Sequence, residues 1–216
     1  MTTSAAAPTV FIVDDDHAVR DAIGLLLGLR GYATRSFATG SDFLEAVTAE
    51  TRGCVLLDMR MPDVDGARVQ AELGARGINL PIVILTAHGD VATARAAFKA
   101  GAVDFLEKPI DDAVLMTVLD AALAHDREAG KRAEREAVLR ERLARLTPRE
   151  LEVLERVVHG RHNREIASEL AISPRTVEVY KARIMDKLQA DRLSDLIRIA
   201  LDFDLTSART VDKGIP

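Results

Sequence analysis

Four apolar runs in the first half of the chain each end on a polar residue. Asp14 and Asp15 follow VFIV, Asp58 follows CVLL, Thr86 follows IVIL, and Lys108 follows VDFLE. In an open parallel sheet the carboxyl ends of all strands share one edge, so side chains placed there converge. Carboxylates, a hydroxyl and an ammonium gathered at one point make a site for Mg2+ and a transferable phosphoryl group. A hard cation takes the carboxylate oxygens, while the hydroxyl and ammonium suit phosphoryl oxygens.

The elements that must position these groups follow from periodicity. Apolar runs of four to six residues alternate with amphipathic stretches of ten or more, the pattern of a βαβ chain with a parallel sheet. Strands are expected at 9–13, 33–37, 53–58, 81–86 and 103–107. Helices are expected near 17–30, 40–49, 65–75 and 90–100. Gly31, Gly77 and Gly101 stand where a helix wants a left-handed C-terminal residue, and MPDVDG and GINLP supply turns. A last helix starts at Asp111 and meets no proline before about Arg145, with Gly130 its one interruption. Val118, Ala122 and His125 at one end, and Leu139, Leu143 and Leu146 at the other, keep a coiled-coil spacing across a polar middle. Two readings of that connector stay open, a solvated charged linker and a two-stranded coil.

From 147 to 203 the period changes. Thr147-Pro148-Arg149-Glu150 is a capping box with proline at the first helical position. Helices near 163–170, 174–188 and 192–202 follow, the second opened by Ser173-Pro174. This divides the chain into an α/β domain over 8–123, a helical linker over 124–146, a small all-α domain over 147–203, and a tail over 204–216 with little to bury.

Composition narrows the function. The longest apolar runs, such as PIVIL, are far shorter than the ~20 residues of a membrane span. MTTSAAAPTV lacks the charged and apolar regions of a secretory signal, so a cytoplasmic protein is expected. Cys54 sits inside an apolar run as a small buried residue, with no strand-end histidine placed to activate it as a nucleophile. Residues 1–123 hold 10 Lys and Arg against 17 Asp and Glu, whereas 124–216 hold 19 against 17. An acidic half therefore precedes an Arg-rich one.

VDD at the first strand, LLDMRMPDVDG at the third, ILTAHGD at the fourth and DFLEKP at the fifth resemble a response-regulator receiver domain over roughly 8–123. The resemblance implies a flavodoxin-like, doubly wound sheet in the order 2-1-3-4-5. It implies that Asp58 accepts a phosphoryl group from a sensor histidine kinase. Asp14, Asp15, Asp58 and the main-chain carbonyl of Arg60 would hold Mg2+, and Thr86 and Lys108 would bind phosphoryl oxygens. Thr86 and Phe105 would form a rotamer switch, and the Lys108–Pro109 peptide would be cis. The run Asp14-Asp15-Asp16 leaves a choice of metal pair, with 14 and 15 favoured because they directly follow the strand. Asp16, Asp63 and Asp65 are candidates for helix capping, and His17 and His88 for solvated loop positions. Arg60 and His88 are placed to modulate loss of the phosphoryl group.

LTPRELEVLERVVHGRHNREIASELAISPRTVEVYKARIMDKL is similar to the helix-turn-helix of LuxR-type regulators, and the two parts together resemble a FixJ/NarL-type transcription factor. Ile166, Ala167 and Leu170 would pack the scaffold helix, with Ile172 in the turn and Ser173 capping the recognition helix. On that helix Val177, Tyr180 or Lys181, Ile184 and Leu188 make the inner face. The resemblance puts Glu178, Val179 and Ala182 towards bases, with Arg175 reaching guanine or phosphate. Asn163, Arg164, Thr176, Lys181 and Arg183 would hold phosphates. Leu193, Leu196, Ile197 and Ala200 on the last helix suit pairing of two modules.

The expected protein is a phosphorylation-activated transcription regulator that dimerises on double-stranded promoter DNA, with RNA polymerase a further candidate partner and no membrane. It is not expected to be an enzyme beyond self-phosphorylation at Asp58 and slow autodephosphorylation. Two rivals remain. An aspartate-nucleophile phosphohydrolase would want a second carboxylate where Arg60 stands, and an unphosphorylated dimerisation platform would leave the acceptor set unused.

Overall fold

The apolar runs form parallel strands in the computed structural model, which describes residues 9–87 and 91–202. They are β1 (Thr9–Val13), β2 (Ala33–Phe37), β3 (Gly53–Asp58), β4 (Ile82–Thr86) and β5 (Asp104–Glu107), in one sheet of order β2-β1-β3-β4-β5. The α/β class and strand order expected from the sequence are both present. β4 begins at Ile82 and not at 81 because Pro81 has no N–H to give the ladder, although its carbonyl still accepts from the Val55 N–H at 2.9 Å.

Helices α1 (His17–Leu29), α2 (Gly40–Ala46), α3 (Gly66–Ala75) and α4 (Val91–Lys99) make the crossovers, and α5 (Asp112–Ala144) follows β5. β1, β3 and β4 are almost wholly buried, as strands covered on both faces must be. Alternate residues feed two layers. Phe11, Val13, Val55, Leu57, Ile82 and Ile84 meet Phe43, Val69, Leu73 and Ala97 of α2, α3 and α4. Val10, Ile12, Cys54, Leu56, Val83 and Leu85 meet Ile23 and Leu27 of α1 and Leu115, Leu119 and Leu123 of α5. Burial pushes the Cys54 thiol up to about 12, in keeping with an inert core residue.

Two local expectations shift. α2 stops at Ala46, three residues short of the sequence estimate. Val47 turns extended and buries its side chain, and Thr48 donates its N–H to the Thr51 hydroxyl. The connector is shorter than 124–146. Asp126 is 2 % exposed and accepts from the Gly53 N–H, while Leu143 and Leu146 join the core of the C-terminal helices. Of the residues with coiled-coil spacing, Val118 and Ala122 enter one core and Leu143 and Leu146 another, while His125 is exposed.

The chain divides between Lys131 and Arg132 into two compact units, with the division falling inside α5. The second unit continues with α6 (Pro148–Val158), α7 (Asn163–Glu169), α8 (Pro174–Leu188) and α9 (Leu193–Asp202). Gly31, Gly77 and Gly101 take the positive φ expected of helix ends. Among the described residues no helix is long and apolar enough to cross a membrane. His88, Asp90 at the start of the expected 90–100 helix, and the 204–216 tail lie outside the described residues.

Candidate metal and phosphoryl site, and candidate nucleic-acid interface

β1 delivers its acidic end with a defined register. Asp14 is fully buried, its N–H bonds the Phe37 carbonyl, and its Oδ1 accepts from the Asp16 N–H at 3.0 Å. Asp15 is exposed, and Asp16 is the N-cap of α1, accepting from the Ala18 N–H at 2.8 Å. Asp14, Asp15 and Asp58 offer oxygens that all lie within 4.8 Å of one another, a group able to hold a metal ion, whereas Asp16 is engaged at the helix start. Asp65 caps α3 in the same manner, and Asp63 accepts from the Ser41 N–H.

β3 and β5 complete the cluster. Asp58 ends β3 at 5 % exposure, and its Oδ2 accepts from the Arg60 N–H at 2.8 Å. Lys108 follows β5 directly and precedes a cis Lys108–Pro109 peptide, its N–H bonding the Thr86 carbonyl at 2.7 Å. Its Nζ lies 2.6 Å from Asp14 Oδ2 and 2.7 Å from Asp58 Oδ1. Thr86 is buried at the end of β4, beside the Asp58↔Leu85 pairing. Phe105, half-buried on β5, packs against the first core layer. Arg60 is exposed on the loop after β3.

The electrostatics are those of an under-neutralised site. Burial raises the Asp14 carboxyl above its usual value despite the hydrogen bond from Lys108. Burial also pulls the Lys108 ammonium down, but its hydrogen bonds to Asp14 and then Asp58 outweigh that and leave it raised. A lysine bridging two carboxylates keeps its proton. One ammonium then faces three clustered carboxylates, and the excess negative charge suits a divalent cation.

Two residues that periodicity does not flag belong to this edge. Arg20, on the first turn of α1, folds back so that its Nη1 lies 2.7 Å from the Asp14 carbonyl and 2.9 Å from the Asp15 carbonyl. A cation one turn into the helix after an acidic strand end is the signal that could have marked it. Gly66 opens α3 against the acceptor strand, where an added Cβ would lie 2.7 Å from the Asp58 carbonyl oxygen and 3.1 Å from Met59 Cα. His17 lies 3.1 Å from Asp21 at the exposed start of α1.

In the second unit the helix starts read from the sequence are present. Thr147 and Glu150 form the capping box of α6, and Ser173 caps α8 by accepting from the Thr176 N–H at 3.0 Å. Ile166, Ala167 and Leu170 are buried under α7, and Ile172 packs partly against the same core. On α8, Val177, Ile184 and Leu188 are buried and Tyr180 half-buried, so the opposite face is left outward. Arg175, Glu178, Val179, Ala182 and Arg183 are exposed there. Thr176 is half-buried beside the Ser173 hydroxyl, Arg164 is exposed on α7, and Lys181 donates to Asn163 Oδ1 at 3.2 Å, tying α8 to α7.

A buried polar network at the base of α8 went unseen in the sequence. Glu150 is 2 % exposed and accepts from the Thr147 N–H and from Lys187 Nζ at 2.6 Å. Lys187 also donates to the Arg145 carbonyl, and Arg142 donates to the Leu188 carbonyl. Burial opposes ionisation of Glu150, but Lys187 and Thr147 more than reverse it and hold the carboxyl below its ordinary value of 4.5.

The whole arrangement has relatives. Residues 10–120 match the response regulator receiver domain, and residues 144–200 match the bacterial regulatory proteins of the luxR family. Transcriptional regulatory protein FixJ of Azorhizobium caulinodans is 43 % identical over 192 residues, covering 89 % of this chain and 91 % of its own. Tetrathionate response regulatory protein TtrR of Salmonella typhimurium is 44 % identical over 190 residues, covering 88 % and 90 %. The solved structure of response regulator StyR matches with a TM-score of 0.83 at 38 % identity, covering 91 % of this chain and all of that one. The chain therefore belongs to the two-component response regulators that join a receiver domain to a LuxR-type DNA-binding domain, a group of phosphorylation-dependent transcription regulators that includes FixJ.

Proposed function

We propose that Asp58 is the phosphoacceptor of this regulator, that Mg2+ is its cofactor, and that phosphorylation drives pairing of two chains on promoter DNA. The observation that carries this reading is the convergence of Asp14, Asp15 and Asp58 within 4.8 Å, with Lys108 bridging Asp14 and Asp58. Asp14, Asp15, Asp58 and the Arg60 carbonyl would hold Mg2+, which when bound supplies charge neutralisation for the phosphoryl oxygens.

The chain's own groups do the rest by position and charge. A carboxylate oxygen of Asp58 attacks the phosphorus of a kinase phosphohistidine. A P–O bond forms as the P–N bond breaks, and the imidazole leaves with the bonding pair and regains a proton from solvent. The Arg60 N–H, donated to Asp58 Oδ2, holds the carboxylate so that its other oxygen faces Lys108. Lys108 then turns from two carboxylates to the arriving phosphoryl oxygens, and the Thr86 hydroxyl donates to another. The added group carries about −1.5 to −2 charges. That draws Thr86 inward and lets Phe105 occupy the space beside it, altering the surface of α4, β5 and the start of α5.

In the second domain, Glu178, Val179 and Ala182 read base edges and Arg175 reaches guanine or phosphate. Asn163, Arg164, Thr176, Lys181 and Arg183 grip the backbone. The sensor kinase, promoter DNA and RNA polymerase are the partners of this reading, and the cytoplasm is its compartment. The test is labelling of the full chain by acetyl phosphate with and without Mg2+, followed by promoter footprinting with wild type and Asp58→Asn. Mg2+-dependent label on Asp58 and loss of footprints in the variant are expected. Label elsewhere, or footprints indifferent to the variant, would end the reading.

A further inference from the structure

The Arg20 guanidinium does not pair with the carboxylates gathered at the end of β1. It reaches past them, Nη1 lying 2.7 Å from the Asp14 carbonyl and 2.9 Å from the Asp15 carbonyl. A third bond, from the Asp16 N–H to Asp14 Oδ1 at 3.0 Å, closes the same turn. A carboxylate can move only as its Cα and the two flanking peptide planes allow. These bonds orient the planes that follow Asp14 and Asp15, and with them the directions in which the two side chains leave the backbone.

From this geometry we infer that Arg20 is a positioning residue for the cation site, acting through the two carbonyls and touching neither the cation nor the phosphoryl group. The inference rests on the proposed metal site and adds to it a residue from α1. Outer groups that orient ligands are worth roughly ten- to a hundred-fold in metal affinity where they have been removed. The half-buried side chain, anchored on the first turn of a capped helix, has little freedom to release the turn.

The sign of the effect separates this role from simple charge. A positive group beside a cation site repels the cation, so on charge alone Arg20→Gln should tighten Mg2+ binding. If Arg20 holds the turn in shape, the same substitution weakens binding even though a repelling charge is gone.

Calorimetric titration of the full-length protein with Mg2+ decides between them, with thermal unfolding in the absence of Mg2+ to show that the variant is folded. Expected is a dissociation constant raised roughly ten-fold or more in Arg20→Gln. Acetyl phosphate labelling of Asp58 should shift its half-maximal Mg2+ by the same factor and reach a plateau close to wild type. Unchanged or tighter Mg2+ binding overturns the inference. Should Arg20→Gln fail to fold, Arg20→Lys is read the same way, weaker binding supporting the role and unchanged or tighter binding overturning it. Failure of wild type to take label on Asp58 while Mg2+ binding is measurable would end the phosphoacceptor reading, and the Arg20 comparison would stand on the binding data.

Discussion

Lys108 holds the resting site together. It is the cation that Asp14 and Asp58 share, at 2.6 and 2.7 Å, with Asp14 fully buried and Asp58 nearly so. Taking away one partner of a buried ion pair leaves charge without compensation, a loss of several kcal/mol in deep interiors. With Lys108 one-fifth exposed, about 2 kcal/mol is expected for Lys108→Ala in Mg2+-free buffer, read as a lower urea midpoint. Mg2+ should then stabilise the variant by more than it stabilises wild type, since no ammonium competes for the carboxylates and a ligand stabilises in proportion to its affinity for the folded form. Equal midpoints without Mg2+ would show that the bridge contributes nothing. Gly66 sets a steric limit on the same site. A Cβ there meets the Asp58 backbone carbonyl at 2.7 Å, so Gly66→Ala must displace either the start of α3 or the end of β3. A loss of about 1–3 kcal/mol, the range for overpacking, is expected by thermal unfolding, together with slower labelling of Asp58.

At the scale of elements, α6 and α8 are joined by one buried carboxylate. Glu150 has its ionised form favoured in the folded state, so its contribution is present above its ordinary value of 4.5 and fades as the pH falls through the lower folded value. Glu150→Gln should lose about 2 kcal/mol at pH 7, the scale of a hydrogen bond to a charged group. The gap from wild type should close below pH 4.5 and not on the alkaline side. Hydrogen exchange of the 147–188 amides in the full chain reads this directly, and a gap that persists unchanged at pH 3.5 would contradict it. The sheet order followed from the resemblance to receiver domains, whereas strand positions and the acidic edge were legible in the sequence because each depends on runs of a few neighbouring residues. The Glu150–Lys187 pair was not, and neither was the ion pair of Arg52 with Asp126, which seats α5 against the start of β3. Their partners stand 37 and 74 residues apart, and no local period links them. The coiled-coil spacing in α5 left two readings open for a related reason. Leu143 and Leu146 keep the spacing of a seam, yet it is the core of α6, α7 and α8 that they enter.

At the scale of the whole molecule, the apolar side chains left outward bear on how many copies act together. α9 exposes Leu193, Ile197 and Leu201, and α4 exposes Val91 and Phe98. A folded domain leaves single apolar residues exposed as a matter of course, but a stripe along one helix marks a surface suited to a partner. A second copy, as the proposed function requires, would bring a second recognition helix to the DNA and so double the phosphates neutralised. Salt dependence counts them, because the binding constant falls by about 0.9 log units per log unit of salt for each phosphate contact. Arg164→Ala removes one exposed cation of α7 from each module. In unphosphorylated protein, or Asp58→Asn, binding as single modules, the substitution should flatten the slope by about 0.9. In acetyl phosphate-treated wild type it should flatten it by about 1.8, one contact from each of two chains. This difference of slopes does not depend on knowing the total number of contacts. The same decrement in both states, measured on one promoter fragment by fluorescence anisotropy across a salt series, would mean that phosphorylation does not recruit a second module.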